Sequence, residues 1–337
     1  MQLLSLSNDV IRQILIHYID DSKVNQIKIK FIGSKLLNEI NNSIHIMPPP
    51  LFNACKKSNH MKAMLQINSN EHEFIDKDGN NSLVWACKHK MNDIVHRLLG
   101  KDYKPCRSNK EGYTALIWAC QNQMSDVALK LLDLGNVCKP EQVNEIGNTA
   151  LIIACHNQMS DVALKLLDIN CIPGQFDIYG HTALIISCYN RMSDVALKLL
   201  DLGNICKPEH VNDYKSTALI WACHNQMSDV AFKLLGLDCK PEQINSLGDT
   251  ALIWACHNQM SDVALKLLGL DCKPEHININ NESALLLSCE HKMTAVVDII
   301  LNYPQIHNDE LNMQALIYAQ RYGMNNIVPK LIQQCFL

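Results

Sequence analysis

The chain has 337 residues, a formal net charge of −4 and a pI near 6.4, so no broad electrostatic attraction draws it to nucleic acid or anionic lipid. No stretch reaches the roughly 18 apolar residues that a membrane span needs, and Met1 is not followed by a basic segment and a long apolar run. Fifteen cysteines, an odd number with no Cys-x-x-Cys pair, in a chain too long to need disulfide staples, point to a reducing, cytoplasmic setting.

Residues 1–47 carry short helical patterns and stand outside any repeat. Pro48-Pro49-Pro50 forbids helix and favours an extended joint, so a linker is expected at 48–50 and an array over 51–337. Within the array, Thr-Ala-Leu-Ile-Trp-Ala-Cys-His-Asn-Gln-Met-Ser-Asp-Val-Ala begins at Thr217 and again at Thr250. Close copies start at Thr114, Thr149 and Thr182, and looser ones at Ser82 and Ser283, giving spacings of 32, 35, 33, 35, 33 and 33 residues. Degenerate copies near Pro50 and Gln314 bring the expected count to nine units, starting near 50, 82, 114, 149, 182, 217, 250, 283 and 314. A fixed period of this length means a stacked array, because one such unit cannot bury its apolar face alone. The expected fold is an all-α solenoid of helix-turn-helix units, a monomer with a long surface and no enclosed cavity. Binding therefore outranks catalysis.

Each unit reads as turn, helix, turn, helix, loop. In the unit at Thr114, Asn109-Lys-Glu-Gly112-Tyr113 supplies a turn, and Gly112 can take positive φ. Thr114 stands where an N-cap belongs, ahead of a two-turn helix from Ala115 to Asn122. Ser125-Asp126 opens the second helix with a carboxylate near its positive end. Val127, Leu131 and Leu132 give that helix one apolar face, and Lys139-Pro140 stops helix in the connecting loop. Lys215 and Asn281 occupy the turn-Gly place in their units. A lysine strains that place, whereas Asn tolerates positive φ better.

A turn with Gly, then Thr-x-Leu-x-x-Ala, then a Val-x-x-x-Leu-Leu helix at a 33-residue period resembles the ankyrin repeat. The resemblance covers about residues 50–337. Asp177-Ile-Tyr-Gly180-His-Thr-Ala-Leu184 is similar to the family's turn-and-helix opening, and Arg321-Tyr-Gly-Met-Asn325 to its link between helices. The departures are systematic. The family's Pro after Thr is Ala (Ala115, Ala150, Ala183, Ala218, Ala251), and its His two residues later is Ile (Ile117, Ile152, Ile185, Ile220, Ile253). That His ties neighbouring units by hydrogen bonds in ankyrins, so apolar packing is the expected tie here. The family's Gly between helices is replaced by Lys90, Gln123, Gln158, Gln226, Gln259 and Lys292, and returns only as Gly323. This dialect resembles ankyrin proteins of giant DNA viruses, which implies the cytoplasm of a host cell. Leu6-Ser-Asn-Asp-Val-Ile11, Ile14-Leu15 and Ile29 to Ile40 resemble an F-box, with Ser7 where that family has Pro. This resemblance implies a Skp1-like partner for residues 1–45. The alternative is a helical cap on the array.

At 100° per residue, with Leu219 at the centre of the buried side, Ala222 and Cys223 fall about 60° and 40° away, on the core face. Trp221 falls about 200° round, with His224 and Asn225 on either side, toward the concave face that ankyrin proteins use for partners. All four tryptophans, Trp85, Trp118, Trp221 and Trp254, hold this one position; Ile153, Ile186 and Leu287 hold it elsewhere. Lys88, Gln121, His156, Tyr189, His257 and Glu290 correspond to His224. Each Trp either packs on the neighbouring unit or anchors a partner, and the two readings are compatible. The turn tips, which include Tyr113, Tyr179 and Tyr214, form the second candidate surface. They vary while the helices hardly change, as either specificity or drift would produce.

No catalytic motif, cofactor loop or metal signature is found, and the chain reads as a non-enzymatic binder. His156, His224 and His257 lie on different stacked helices about 8–10 Å apart, so they are read as solvated groove residues rather than a shared metal site. The same spacing argues against disulfides between equivalent cysteines. Cys87, Cys120, Cys155, Cys188, Cys223, Cys256 and Cys289 are expected in the core. Cys106, Cys138, Cys171, Cys206, Cys239 and Cys272, in the long loop, are expected to be the exposed thiols.

Overall fold

The computed structural model describes residues 50–67, 74–100, 107–169, 171–270, 272–303 and 309–336. The F-box-like or capping segment 1–47 lies outside the described residues. Of the proline joint, Pro50 alone is described, and it is the first residue of a helix, Pro50–Lys56. The first helical position needs no backbone N–H, so proline is tolerated there.

Among the described residues there are 18 α-helices in nine successive pairs and no strand, only isolated bridges at Phe176–Thr182 and Ile277–Ser283. First helices pack on first helices and second helices on second helices, so the array is two rows deep. No helix among the described residues is long and apolar enough to cross a membrane.

The first helices start where a capping side chain stands. Thr114, Thr149, Thr182, Thr217, Thr250 and Ser283 sit in extended conformation, and each hydroxyl accepts from the amide three residues on, at 3.1–3.3 Å. One start moves. Asn81, not Ser82, caps its helix, accepting from the Val84 amide at 2.9 Å, while Ser82 lies inside the helix. An Asn carbonyl reaches the third amide as well as Thr does, and the shift restores 33 residues between Asn81 and Thr114. The 35-residue spacings come from the units holding the 3₁₀ turns Gly135–Cys138 and Gly203–Cys206. In the last unit the first helix runs Asp309–Arg321 and so begins ahead of Gln314, with Glu310 in its first turn at the positive end.

Between the helices of each pair the chain turns through positive φ. Lys90, Gln123, Gln158, Arg191, Gln226, Gln259 and Lys292 lie at φ 55–60°, and Gly323 at 69°. The family's Gly position thus keeps its left-handed geometry with side chains that disfavour it. Lys215 and Asn281 are left-handed too, at φ 56° and 60°. Gly112 has a further constraint, since a Cβ there would sit 2.5 Å from the Val143 carbonyl of the next turn.

The core is apolar and continuous, with Leu219, Ile220, Ala222, Cys223, Val230, Ala231 and Leu234 buried in the Thr217 unit. The tie between units is not apolar packing alone. Side-chain amides of Asn122, Asn157, Asn190, Asn225 and Asn258 donate to the carbonyls of Cys87, Cys120, Cys155, Cys188 and Cys223, one unit back, at 2.8–3.0 Å. A helix end leaves its last carbonyls without intrahelical partners, and the following Asn satisfies them. On the outer row Lys198 pairs with Asp168 at 2.5 Å, and Lys165, Lys233 and Lys330 pair in the same way with Asp133, Asp201 and Asp298.

The loop cysteines correct the expectation of exposure. Cys138, Cys206, Cys239 and Cys272 are buried and Cys171 is half-buried; Cys106 lies outside the described residues. The loop packs back on the core with or without a 3₁₀ turn, since Cys239 and Cys272 are buried in units that have none among the described residues. Where the turn is present, the Cys138 and Cys206 thiols each donate to the carbonyl three residues back, at 3.0 Å.

Candidate functional site

The first-helix row carries the predicted aromatic positions, and all four tryptophans are half-buried, packed against the core on one side. Five side chains form an unbroken ribbon. Ring centroids run from Tyr189 to Trp221 at 4.7 Å, Trp221 to His224 at 5.2 Å, His224 to Trp254 at 4.3 Å and Trp254 to His257 at 5.3 Å. All four contacts are edge-to-face, which suits the ring quadrupoles. His224 therefore bridges Trp221 to Trp254 of the next unit, while His257 packs on Trp254 and stays exposed, as expected of a groove residue.

Nearer the N-terminus, Lys88 lies 4.9 Å from the rings of both Trp85 and Trp118. Tyr113 stacks on Trp118 at 4.6 Å, and the Trp85 indole donates to Asp76 at 3.3 Å. The positive charge held between two ring faces is a cation–π arrangement.

The turn tips join edge to edge, because each tip donates a backbone hydrogen bond to the tip before it: Ile178 to Ile146, Asp213 to Tyr179, Ser246 to Tyr214. Ile178, Tyr179, Tyr214, Leu247 and Ile279 are exposed along this edge, each more than half. Between ribbon and tips lies a hollow of about 490 Å³, lined among others by His156, Ile186, Tyr189, Tyr214, Trp221 and Leu247.

His156 belongs to a different group from His224 and His257. Its Nε2 lies 3.7 Å from Asp177 Oδ2, and His181 Nδ1 lies 3.2 Å from the same oxygen. Asp177 is nearly buried, and its other oxygen accepts from the backbone amides of Tyr179 and His181 at 2.9 and 2.8 Å. Burial pushes the His156 pKa down, with Asp177 opposing and His181 adding to the fall. His181 packs between Tyr179 and Tyr214, each ring 6.0 Å away. Sequence reasoning compared His156 with its equivalents His224 and His257, two and three units along, and missed Asp177 and His181. The available signal was an Asp where five other regular units hold Asn109, Asn144, Asn212, Asn245 and Asn278.

Ankyrin repeats are the family whose model matches this chain, in three copies over residues 51–141, 129–212 and 196–281. Comparison with curated proteins gave no match.

Proposed function

This chain belongs to the ankyrin-repeat family, and we propose that it is a non-enzymatic scaffold that binds another protein along the ribbon Tyr189–His257 and the turn tips. Ankyrin repeats are protein–protein interaction modules. The observation that carries this reading is the ribbon itself: Trp221, His224 and Trp254 half-buried, with Tyr189 and His257 exposed at its two ends, held in fixed order across three units. Such pre-packed aromatics lose little entropy on contact and are the usual anchors of interfaces. The exposed tips Tyr179, Tyr214 and Leu247 extend the apolar surface beside it.

The test places a photo-crosslinking residue in the full chain at His257, in the ribbon, or at Asp229, exposed on the outer helix row. One protein captured from His257 and not from Asp229 supports the groove. Equal capture from both positions, or capture from Asp229 alone, removes it.

A second reading rests on the resemblance of Leu6 to Ile40 to an F-box. In it residues 1–45 hold a Skp1-like adaptor of a cullin ubiquitin ligase, and the array holds the protein to be modified, in the cytoplasm of a host cell. A purified Skp1-type protein retained by the full chain and not by residues 48–337 supports it, and equal retention or none rejects it.

A further inference from the structure

We propose that His156, Asp177 and His181 bind one divalent transition-metal ion of the zinc class, at the seam between the Thr149 and Thr182 units. One ligand atom from each of the three lies within 4.8 Å of the other two. Tetrahedral zinc with bonds near 2.0–2.2 Å holds its ligands about 3.3 Å apart. The observed 3.2 Å from His181 Nδ1 to Asp177 and 3.7 Å from His156 Nε2 to Asp177 are close to that. Rotation of the partly exposed His156 ring is the adjustment needed to close the third side.

The chemistry of the set fits the same ion. Two imidazoles and one carboxylate suit zinc, cobalt or nickel rather than calcium or magnesium, which take oxygen ligands. Three protein ligands leave a fourth position, and here it opens on the hollow that His156 and His181 line. The ligands are also held in place before any metal arrives. Two backbone amides fix Asp177 through Oδ1 and leave Oδ2 toward the imidazoles, and Tyr179 and Tyr214 fix the His181 ring.

Other units provide the comparison. His224 and His257 correspond to His156, but the places of Asp177 and His181 there hold Asn245 and Asp249, or Asn278 and Glu282. Those side chains bond one another: Asn245 with Asp249, and Asn278 with both Asp249 and Glu282. Where the turn does carry another Asp, at Asp76, the residue equivalent to His156 is Lys56, which pairs with it at 3.6 Å. One Asp turn is thus matched by a fixed cation and the other by two metal-ligating rings. The buried core thiols compete poorly for metal, because desolvation keeps them protonated.

The experiment uses the full chain, stripped with EDTA and titrated with Zn²⁺ by calorimetry and with Co²⁺ by visible absorption. The expected result is one tight site, a cobalt spectrum of low coordination number and a higher melting temperature with metal. Asp177→Asn, His181→Ser and His156→Gln copy residues of sister units (Asn144, Ser216, Gln121), so each is compatible with the fold. Each should weaken metal binding at least about tenfold, the loss that follows removal of even an outer partner of a ligand. His224→Gln and His257→Gln should leave it unchanged. Equal binding by Asp177→Asn and the unmodified chain, or no binding at all, overturns the proposal. A readout independent of any variant is paramagnetic broadening by Co²⁺ of the His156 and His181 ring signals. Broadening at other histidines with these two spared also overturns it.

Discussion

The side-chain amide of Asn225 donates to the Cys188 carbonyl, 2.9 Å away and one unit back, and at the same distance to the Tyr189 carbonyl. This contact replaces the hydrogen bonds that the family builds from a His, which is Ile220 in this unit. It leaves the helix interior free to be wholly apolar while the exposed helix ends carry the polar tie. It also ties the Tyr189 backbone to the unit that carries Trp221 and His224.

Asn225→Ala should therefore lower stability by about 1–2 kcal/mol, the net worth of a part-buried amide with two acceptors. Urea unfolding measures it, with the loss falling on the Thr182–Thr217 seam. A change of only a few tenths would mean that water replaces the amide at no cost.

Gln226 lies at φ 60° at the place where the family carries Gly. Gln226→Gly should stabilise the array by roughly 0.5–1 kcal/mol, since relief of left-handed strain exceeds the added chain entropy of glycine. Gln123→Gly and Gln259→Gly should add to it, being separated by whole units. A lower melting temperature for the triple variant would show that these side chains make contacts worth more than the strain.

Burial pushes the Cys120, Cys155, Cys188, Cys223 and Cys256 thiols well up, and those of Cys138 and Cys206 up to about 11. These thiols should resist alkylation at neutral pH in the native chain and react on unfolding. The sign for stability follows. A raised thiol pKa leaves stability intact at neutral pH and erodes it as pH climbs through the ordinary thiol range, where only the unfolded chain ionises. Mass mapping at pH 8 checks the first point, and prompt native labelling of Cys138 would refute it. Cys223 and Cys256 are both free, and non-reducing mass mapping should find no bridge between them.

Trp221→Ala and Trp254→Ala test whether the ribbon binds or only packs. Half-burial against the core predicts a modest stability loss together with a loss of partner affinity on the order of 2 kcal/mol. A stability loss on the order of 3 kcal/mol, as in core truncations, with affinity unchanged would make these rings mortar between units and move the binding surface to the tips.

The periodicity of the sequence determined the array itself: helix pairs at a 33-residue period, Thr caps, an apolar face and a tryptophan on the opposite side. These are local matters, settled by which side chain can cap and which face repeats every 3.6 residues. The register placed Gln226 where the family has Gly, and the structure showed that the left-handed turn survives the substitution. Side chains one unit apart meet at distances that no spacing rule sets. Asn225 could be placed beside Trp221 by rotation angle, yet only stacking showed that it reaches the Cys188 carbonyl. Cys138 lies in a loop and was expected in solvent; the loop packs back on the core and buries it. His156 was compared with His224 because they share a helix position. The turn of the next unit, folding back over the helix end, brought Asp177 and His181 to it instead. Contacts of that kind depend on how two units close against each other, and tertiary packing alone decides that.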